Sequence, residues 1–344
     1  MTLSEDMELD PVPAASIVNH RSTRFSGETQ TCKLSELSTQ SLDELRWLYR
    51  WLETVGEYSS KNLSQPAVLS EFETLVTRDN VDRVVDAARN VRSAQKESIR
   101  VARILHDLRG TALHQLVGLA DLWLMGHVVV GDLQAVAILA RDHAKVLRHS
   151  LIGLDEERRL LDSVRRLHGV ENLRSRFPFL LLFNLDGDVR VDFASEWNGE
   201  FAITCLEFST VLKQLYNLMG NAARHTADQS VLIRVYPKTP VEPRSVRFVV
   251  ANALTPAERA TMSPSVLAKL WRGHTTTGSG LGLVASAALV AEAFGLEGSE
   301  REVDLGYVGS HVTENGYIAW LHWPSVIHDA AQPPIAADGA TRRR

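Results

Sequence analysis

Three groups of residues in this sequence have the types and spacing needed for phosphate chemistry. Gly278-Ser279-Gly280-Leu281-Gly282-Leu283 stands where a Gly/Thr-rich loop runs into a helical pattern from about Leu281 to Phe294. Glycines there let a backbone approach a polyphosphate, and the helix N-terminus adds amides and a positive dipole end. No Gly-Lys-Ser/Thr follows, which excludes a P-loop, and no strand precedes it, which counts against a dinucleotide fingerprint. Close packing against a neighbouring helix would explain such a turn equally well. The second group is Asn217, Asn221 and Arg224 on the helical stretch Phe208 to Thr226. The two asparagines, four apart, share a face. Carboxamide oxygens suit Mg²⁺, and an arginine there could meet phosphate directly. A solvated polar face is the competing reading. The third group is Leu105-His106-Asp107-Leu108-Arg109, a helical histidine beside an acid; in isolation a surface pair without function is the default for it.

Long helices must carry the histidine. From Asn80 no Pro or Gly intervenes before Gly110, and apolar residues recur at Val81, Val84, Ala88, Val91, Ala102, Leu105, Leu108, Ala112, Leu116, Leu119 and Trp123. A break at Gly126 to Asp132 precedes a second such pattern, Leu133 to about Leu167. The two form an antiparallel hairpin whose apolar stripes exceed what one hairpin covers, so the pattern predicts a dimeric four-helix bundle. Ser41 to Glu57, with Ser41 and Glu44 in a capping-box spacing, and Pro66 to Val76 are shorter helices. Beyond Gly169 the texture changes. Phe179–Asn184 and Val189–Phe193 read as strands across a Leu-Asp-Gly-Asp turn, and Ser230–Tyr236, Val246–Ala251 and Tyr317–Trp323 as further strands, giving an α+β sandwich with helices on one sheet face. The expected organisation is a disordered stretch over 1–35, a small helical region over 36–78, the hairpin over 79–170, the sandwich domain over 175–325 and a disordered tail over 326–344.

The segment Leu212 to Thr226, LKQLYNLMGNAARHT, resembles the N box of histidine kinases and related GHKL-type ATPases, and GSGLGL resembles their second glycine box. His106-Asp107-Leu108-Arg109 resembles their H box. The resemblance covers roughly Phe179 to Trp323 plus the H box, and it implies a GHKL-type α/β sandwich that binds ATP. On this footing Asn221 would hold Mg²⁺, Arg224 and Asn217 would belong to the nucleotide site, and Gly278, Ser279, Gly280, Leu281 and Gly282 would cradle the triphosphate. His106 would be the phospho-acceptor, with Asp107 fixing its tautomer. The family's first glycine box carries an Asp followed by glycines; the corresponding Phe248 to Pro256 here has neither. Asn252 is the substitute, since its oxygen can accept from an adenine amino group. An Asp at 252 would restore the usual pattern and is expected to tighten adenine binding. Gly110 and Thr111 stand where the family commonly has Thr or Asn and then Pro.

Composition sets the remaining bounds. The 344 residues are 44% apolar and 23% charged, in keeping with two or three folded domains. A net charge of −5 argues against bulk nucleic-acid binding. Only Cys32 and Cys205 are present, so no disulfide framework is expected. No segment reads as a secretory signal or membrane span, so the expected location is the cytoplasm. The resemblance implies phosphoryl transfer to an aspartate of a response regulator receiver domain; the apolar stripes call for a homodimer, and the N-terminal ~75 residues, too small for a typical sensor domain, would dock a separate sensor protein. The rival readings are a phosphotransfer adaptor and a pseudokinase, both with a degenerate ATP domain.

Overall fold

The computed structural model describes residues 25–27, 31–94, 99–127, 130–177, 181–184, 187–237, 245–274, 281–296, 301–314 and 316–326. Six helices open the chain: α1 (Thr39–Gly56), α2 (Pro66–Glu73), α3 (Arg78–Asn90), α4 (Ile99–Leu108), α5 (Thr111–Leu124) and α6 (Val130–Ser150). Four of them close a ring, α1 against α6, α6 against α5, α5 against α3 and α3 against α1. Into its centre go Leu45, Leu48, Leu52 and Val55 of α1, Val81 and Val84 of α3, Leu116, Leu119 and Ala120 of α5, and Val136, Leu139 and Ala140 of α6, all buried. Each large aliphatic side chain so buried contributes about 1.5–3 kcal/mol.

This ring corrects the sequence reading in two ways. The stripes for which the pattern predicts a second copy are covered by α1 and α3 of the same chain, so their burial does not require a dimer. The first long helix is also three helices. The chain after α3 leaves helical geometry because Arg92 and Ala94 pair with the start of α1, through Ser38 N–H to Arg92 O at 2.9 Å and Ala94 N–H to Glu36 O at 2.9 Å. A second break falls at Gly110, the N-cap of α5. The hairpin's return helix likewise ends at Ser150. Leu151–Ile152 (β2) pairs in parallel with Cys32–Lys33 (β1), Gly153 takes a positive φ of +91°, and Asp155 caps a new helix, α7 (Glu156–Asp162). Part of the span read as disordered is therefore ordered: Cys32 is buried, and Phe25 packs edge-on against Trp323 at 5.3 Å. Residues 1–24 and 327–344 lie outside the described residues.

The second half builds the sandwich. β3 (Arg165–Gly169) and α8 (Val170–Arg174) lead to β4 (Leu181–Asn184) and β5 (Gly187–Ser195), then β6 (Glu200–Thr204), which pairs with β3, and α9 (Cys205–His225). Next come β7 (Ser230–Pro237), β8 (Ser245–Ala253), α10 (Pro256–Thr261), α11 (Pro264–Trp271), α12 (Leu281–Phe294), α13 (Arg301–Asp304), β9 (Val308–Val312) and β10 (Gly316–Pro324). The six-stranded sheet runs β4-β5-β7-β8-β10-β9. Its β5–β7 pair is parallel and the others are antiparallel. Alternation divides its side chains: Val231, Ile233, Phe248, Val250 and Leu321 face the layer that holds α9 and α12, while Leu232, Val249, Ala251, Ile318 and Trp320 form a separate cluster on the reverse face.

The helical ring and the sandwich share one continuous core. α5 and α6 lie on α9, which lies on the sheet. Where they meet, the buried Asp142 of α6 pairs with Arg176 and accepts a hydrogen bond from Tyr216 of α9 at 3.5 Å. Burial, reinforced by the Asp142 charge, pushes the Tyr216 hydroxyl far above the usual tyrosine range. Among the described residues no helix is long and apolar enough to cross a membrane.

Candidate functional site

The site is organised by α9, whose start is pinned to the sheet. Thr204 Oγ1 accepts from Glu207 N–H at 3.1 Å, Glu207 Oε2 accepts from Ile203 N–H at 2.8 Å, and Glu207 Oε1 accepts from Trp323 Nε1 at 3.0 Å. A carboxylate in a first turn also suits the helix dipole. Three turns further on, the helix presents Asn217 towards the first turn of α12. A Cβ built on Gly282 would stand 3.9 Å from both Cγ and Nδ2 of Asn217. The same point lies 3.6 Å from Cε1 of His106. His106 thus leaves the helical layer and rests on the N-terminal end of α12, beside Asn217, within a single chain. The α4 helix that carries it packs on α12 and α6.

Asn217 is 8% exposed, and its Nδ2 has no partner among the described residues. A buried amide donor left so costs about 1–3 kcal/mol, a penalty that a ligand oxygen would relieve. One turn later the chain is at the surface. Asn221 is half-buried, and its Oδ1 accepts from the exposed Arg224, whose Nε also donates to Gly220 O at 3.0 Å. The expected Mg²⁺ ligand therefore already accepts from a guanidinium on one of its two lone pairs, and a cation at the other would meet that positive charge. Among the described residues no cluster of His, Cys, Asp and Glu could hold a metal ion.

Asn252, the substitute for the missing Asp, sits in β8 on the helix-facing side of the sheet and is 1% exposed. Its Nδ2 donates to Ala253 O at 3.0 Å and to His225 O, at the end of α9, at 3.3 Å. These two bonds orient the amide, and its Oδ1 is buried without a partner among the described residues. A fixed, unfilled acceptor fits an amino group of a bound base. Asn252 and Asn217 lie at positions separated by about 12 Å of α9, given 1.5 Å of rise per residue from 217 to 225.

Of the sequence-derived residues, the structure brings His106, Asn217 and Gly282 together, with Leu281 heading α12. Asn221 and Arg224 follow on the same helix, and Asn252 marks its far end. Gly278, Ser279 and Gly280 lie outside the described residues, as does the side chain of Asp107. Sequence reasoning missed the anchor of α11: buried Trp271 donates from Nε1 to Ser310 Oγ at 2.8 Å, and Ser310 Oγ meets Tyr317 Oη at 2.6 Å. It also missed the contact of His114, whose Nδ1 donates to Arg109 O at 2.8 Å across the break between α4 and α5. No residue-type pattern announces either contact.

No family model matches the chain, and no curated protein matches it by sequence. Among solved structures, the catalytic domain of histidine kinase ThkA is similar at 20% identity over 39% of this chain and 79% of that one, with a TM-score of 0.28. The mycobacterial sensor histidine kinase MprB is similar at 15% identity over 47% of this chain and 98% of that one, with a TM-score of 0.28. A structure described as a bacterial phosphotransferase is similar at 14% identity over 64% of this chain and 93% of that one, again with a TM-score of 0.28. Similarity at this level does not decide activity, which has to be argued from the site.

Proposed function

We propose that this chain is an ATP-dependent protein-histidine phosphotransferase of the histidine kinase type, with His106 as its acceptor. The contact of the His106 imidazole with the first turn of α12, beside Asn217, carries the reading. It sets a nucleophile against the helix end that the glycine-box resemblance assigns to phosphate. The unfilled Oδ1 of Asn252 and Nδ2 of Asn217 fit an adenine amino group and a phosphate oxygen, and the stretch of helix between them suits a nucleoside triphosphate. ATP, when bound, supplies the phosphoryl group. Asn252 would read the base, Asn217 and the glycine-box segment 278–282 would meet the phosphates, and Asn221 would hold Mg²⁺. His106 presents one ring nitrogen, and the role of Asp107 is to hold the other. The phosphoryl group would then pass to an aspartate of a response regulator receiver domain. Homodimerisation would use a surface other than the stripes already buried in the ring.

One observation favours a second reading. Arg224 occupies the oxygen of Asn221 that Mg²⁺ would need, an arrangement suited to an adaptor or pseudokinase that no longer binds the metal. Incubation with γ-labelled ATP and Mg²⁺ separates the two. The kinase reading requires acid-labile, alkali-stable label on the parent and none on the His106→Gln protein. A parent chain that takes phosphoryl from the small donor phosphoramidate, but never from millimolar ATP, would be an adaptor.

A further inference from the structure

Arg109 sits at the break between α4 and α5, and its main chain and its guanidinium tie α3, α4 and α5 together. Its main-chain N–H closes the last turn of α4, at 3.3 Å from Leu105 O and 3.2 Å from His106 O. Its carbonyl accepts from His114 Nδ1 at 2.8 Å, which places the proton of that ring on Nδ1. Its guanidinium leaves the helix and caps another: Nε donates to Ala88 O at 2.9 Å, and Nη2 donates to Arg89 O at 3.2 Å and Val91 O at 3.1 Å. Those carbonyls belong to the C-terminal end of α3, where the last carbonyls of a helix lack intrahelical partners and the dipole favours a cation.

The same end of α3 is held from its other side by the start of α1. Ser41 Oγ donates to Asn90 O at 3.3 Å and accepts from Arg92 N–H at 3.0 Å, and Leu37 bridges Ser93. A line of hydrogen bonds therefore runs from the head of α1, through the end of α3 and the Arg109 fork, to the carbonyl of His106. A planar guanidinium presents its donors in a fixed fork that matches these three carbonyls, whereas an ammonium on a flexible stem is a compact point charge without that preorganisation.

We propose that Arg109 is a positioning residue that locks the acceptor helix to the end of α3, so that movement of the N-terminal helices α1 and α3 is transmitted to His106. The inference rests on His106 as acceptor and names the route by which input reaches it. An acceptor displaced by an ångström loses about a hundredfold in rate, so a small shift of α3 is enough to regulate transfer.

Two measurements on the full chain test the proposal, with Arg109→Ala and Arg109→Lys beside the parent. Hydrogen exchange of the α4 amides should accelerate by about tenfold in Arg109→Ala while α9 is unchanged, as expected of a local opening. Labelling from ATP at saturation should fall about tenfold or more with KM nearly constant, and Arg109→Lys should recover part of it. Phosphoramidate, a small donor, should label His106 equally in all three proteins. Unchanged exchange in α4, or unchanged labelling despite faster exchange, overturns the proposal. So does a joint collapse of melting temperature, KM and phosphoramidate labelling, which would make Arg109 a general fold residue. A parent that ATP never labels overturns the kinase reading instead, and the exchange measurement then decides by itself whether Arg109 locks α4.

Discussion

Cε1 of His106 lies 3.6 Å from where a Cβ would stand on Gly282, an ordinary van der Waals distance. A single methyl there fits. Gly282→Ala should therefore keep its fold and most of its labelling from ATP. Gly282→Val adds branches into the imidazole and should cut labelling about a hundredfold with little change in melting temperature. Parent-level labelling in Gly282→Val would mean that His106 works elsewhere.

The contact joins two parts of one chain, and the helical layer that holds His106 is fused to the sandwich by a common core. Phosphorylation should then occur within a chain. Co-expression of His106→Gln with a tagged, nucleotide-deficient Asn252→Lys chain tests this, with phosphoramidate as the control that the second chain's His106 is still reactive. ATP should leave the tagged chain unlabelled; strong label on it would mean transfer between chains.

Asn252 changes an expectation drawn from sequence. An Asp at 252 should restore the usual adenine contact, yet the Asn252 Nδ2 serves two carbonyls, of His225 and Ala253. A carboxylate would face both with no proton to offer. Asn252→Asp should lower the stability of the free protein by about 1–3 kcal/mol, the cost of leaving buried polar groups unsatisfied. Asn252→Leu should weaken ATP about tenfold and leave inorganic triphosphate binding unchanged, if one neutral hydrogen bond of about 1.4 kcal/mol is lost. Calorimetric titration reads both, and ATP binding tightened in Asn252→Asp without loss of melting temperature would contradict the account.

Gly56 ends α1 where it crosses α6. A Cβ there would stand 2.8 Å from the Arg141 Cα, with backbone on both sides. Gly56→Ala should destabilise by about 1–3 kcal/mol through overpacking, despite the usual gain from alanine in a helix. An unchanged thermal midpoint would show that the helices can part freely.

His168 should make stability depend on pH. Burial first, then the charges of Lys145, Arg166 and Arg176, push it down to about 4. Unfolded, it titrates near ~6.5. Between those values the unfolded chain binds a proton that the folded chain refuses, so stability falls as pH drops through the window. His149, lowered by burial, acts in the same direction below its ordinary value. His168→Phe keeps a ring against Phe208, now 4.9 Å away, and should remove about 1.4 kcal/mol per pH unit of that slope. Denaturant titrations at pH 6.5 and 5 measure it; an undiminished slope would locate the titration elsewhere.

The sandwich was largely legible because its determinants are local. The alternation in Ser230–Tyr236, the turn after Asn184 and the apolar run after Gly282 each point to the element observed. The helical half was legible only in its faces. Val91 continues the apolar rhythm of α3, but the pairing of Arg92 and Ala94 with the head of α1 overrides it, a long-range effect that no window of residues contains. The stop after Ser150 was signalled by Gly153 and Asp155, although the apolar period runs through both. The ring itself was missed because α1, far upstream of α5 and α6, supplies the cover credited to a second copy. At the site, His106, Asn217 and Gly282 were named from motif likeness, whereas Arg109 as a helix cap depends on where α3 ends.

The parallel pairing of β5 with β7 also constrains the order in which the chain can assemble. Antiparallel neighbours such as β4 and β5 join through a tight turn, but parallel strands must wait for a crossover, and here the crossover is β6 followed by α9. The helix bearing Asn217 and Asn221 is thus a scaffold for closing the sheet as well as a wall of the site. Substitutions on its sheet-facing side, such as Leu215→Ala, should slow refolding as well as hasten unfolding, whereas changes in β9 at the sheet edge should act mainly on unfolding. Stopped-flow chevrons of the two classes would tell them apart, and an effect of Leu215→Ala confined to the unfolding arm would place the crossover late. The residues proposed to handle phosphate would then be committed early, before the edge of the sheet exists.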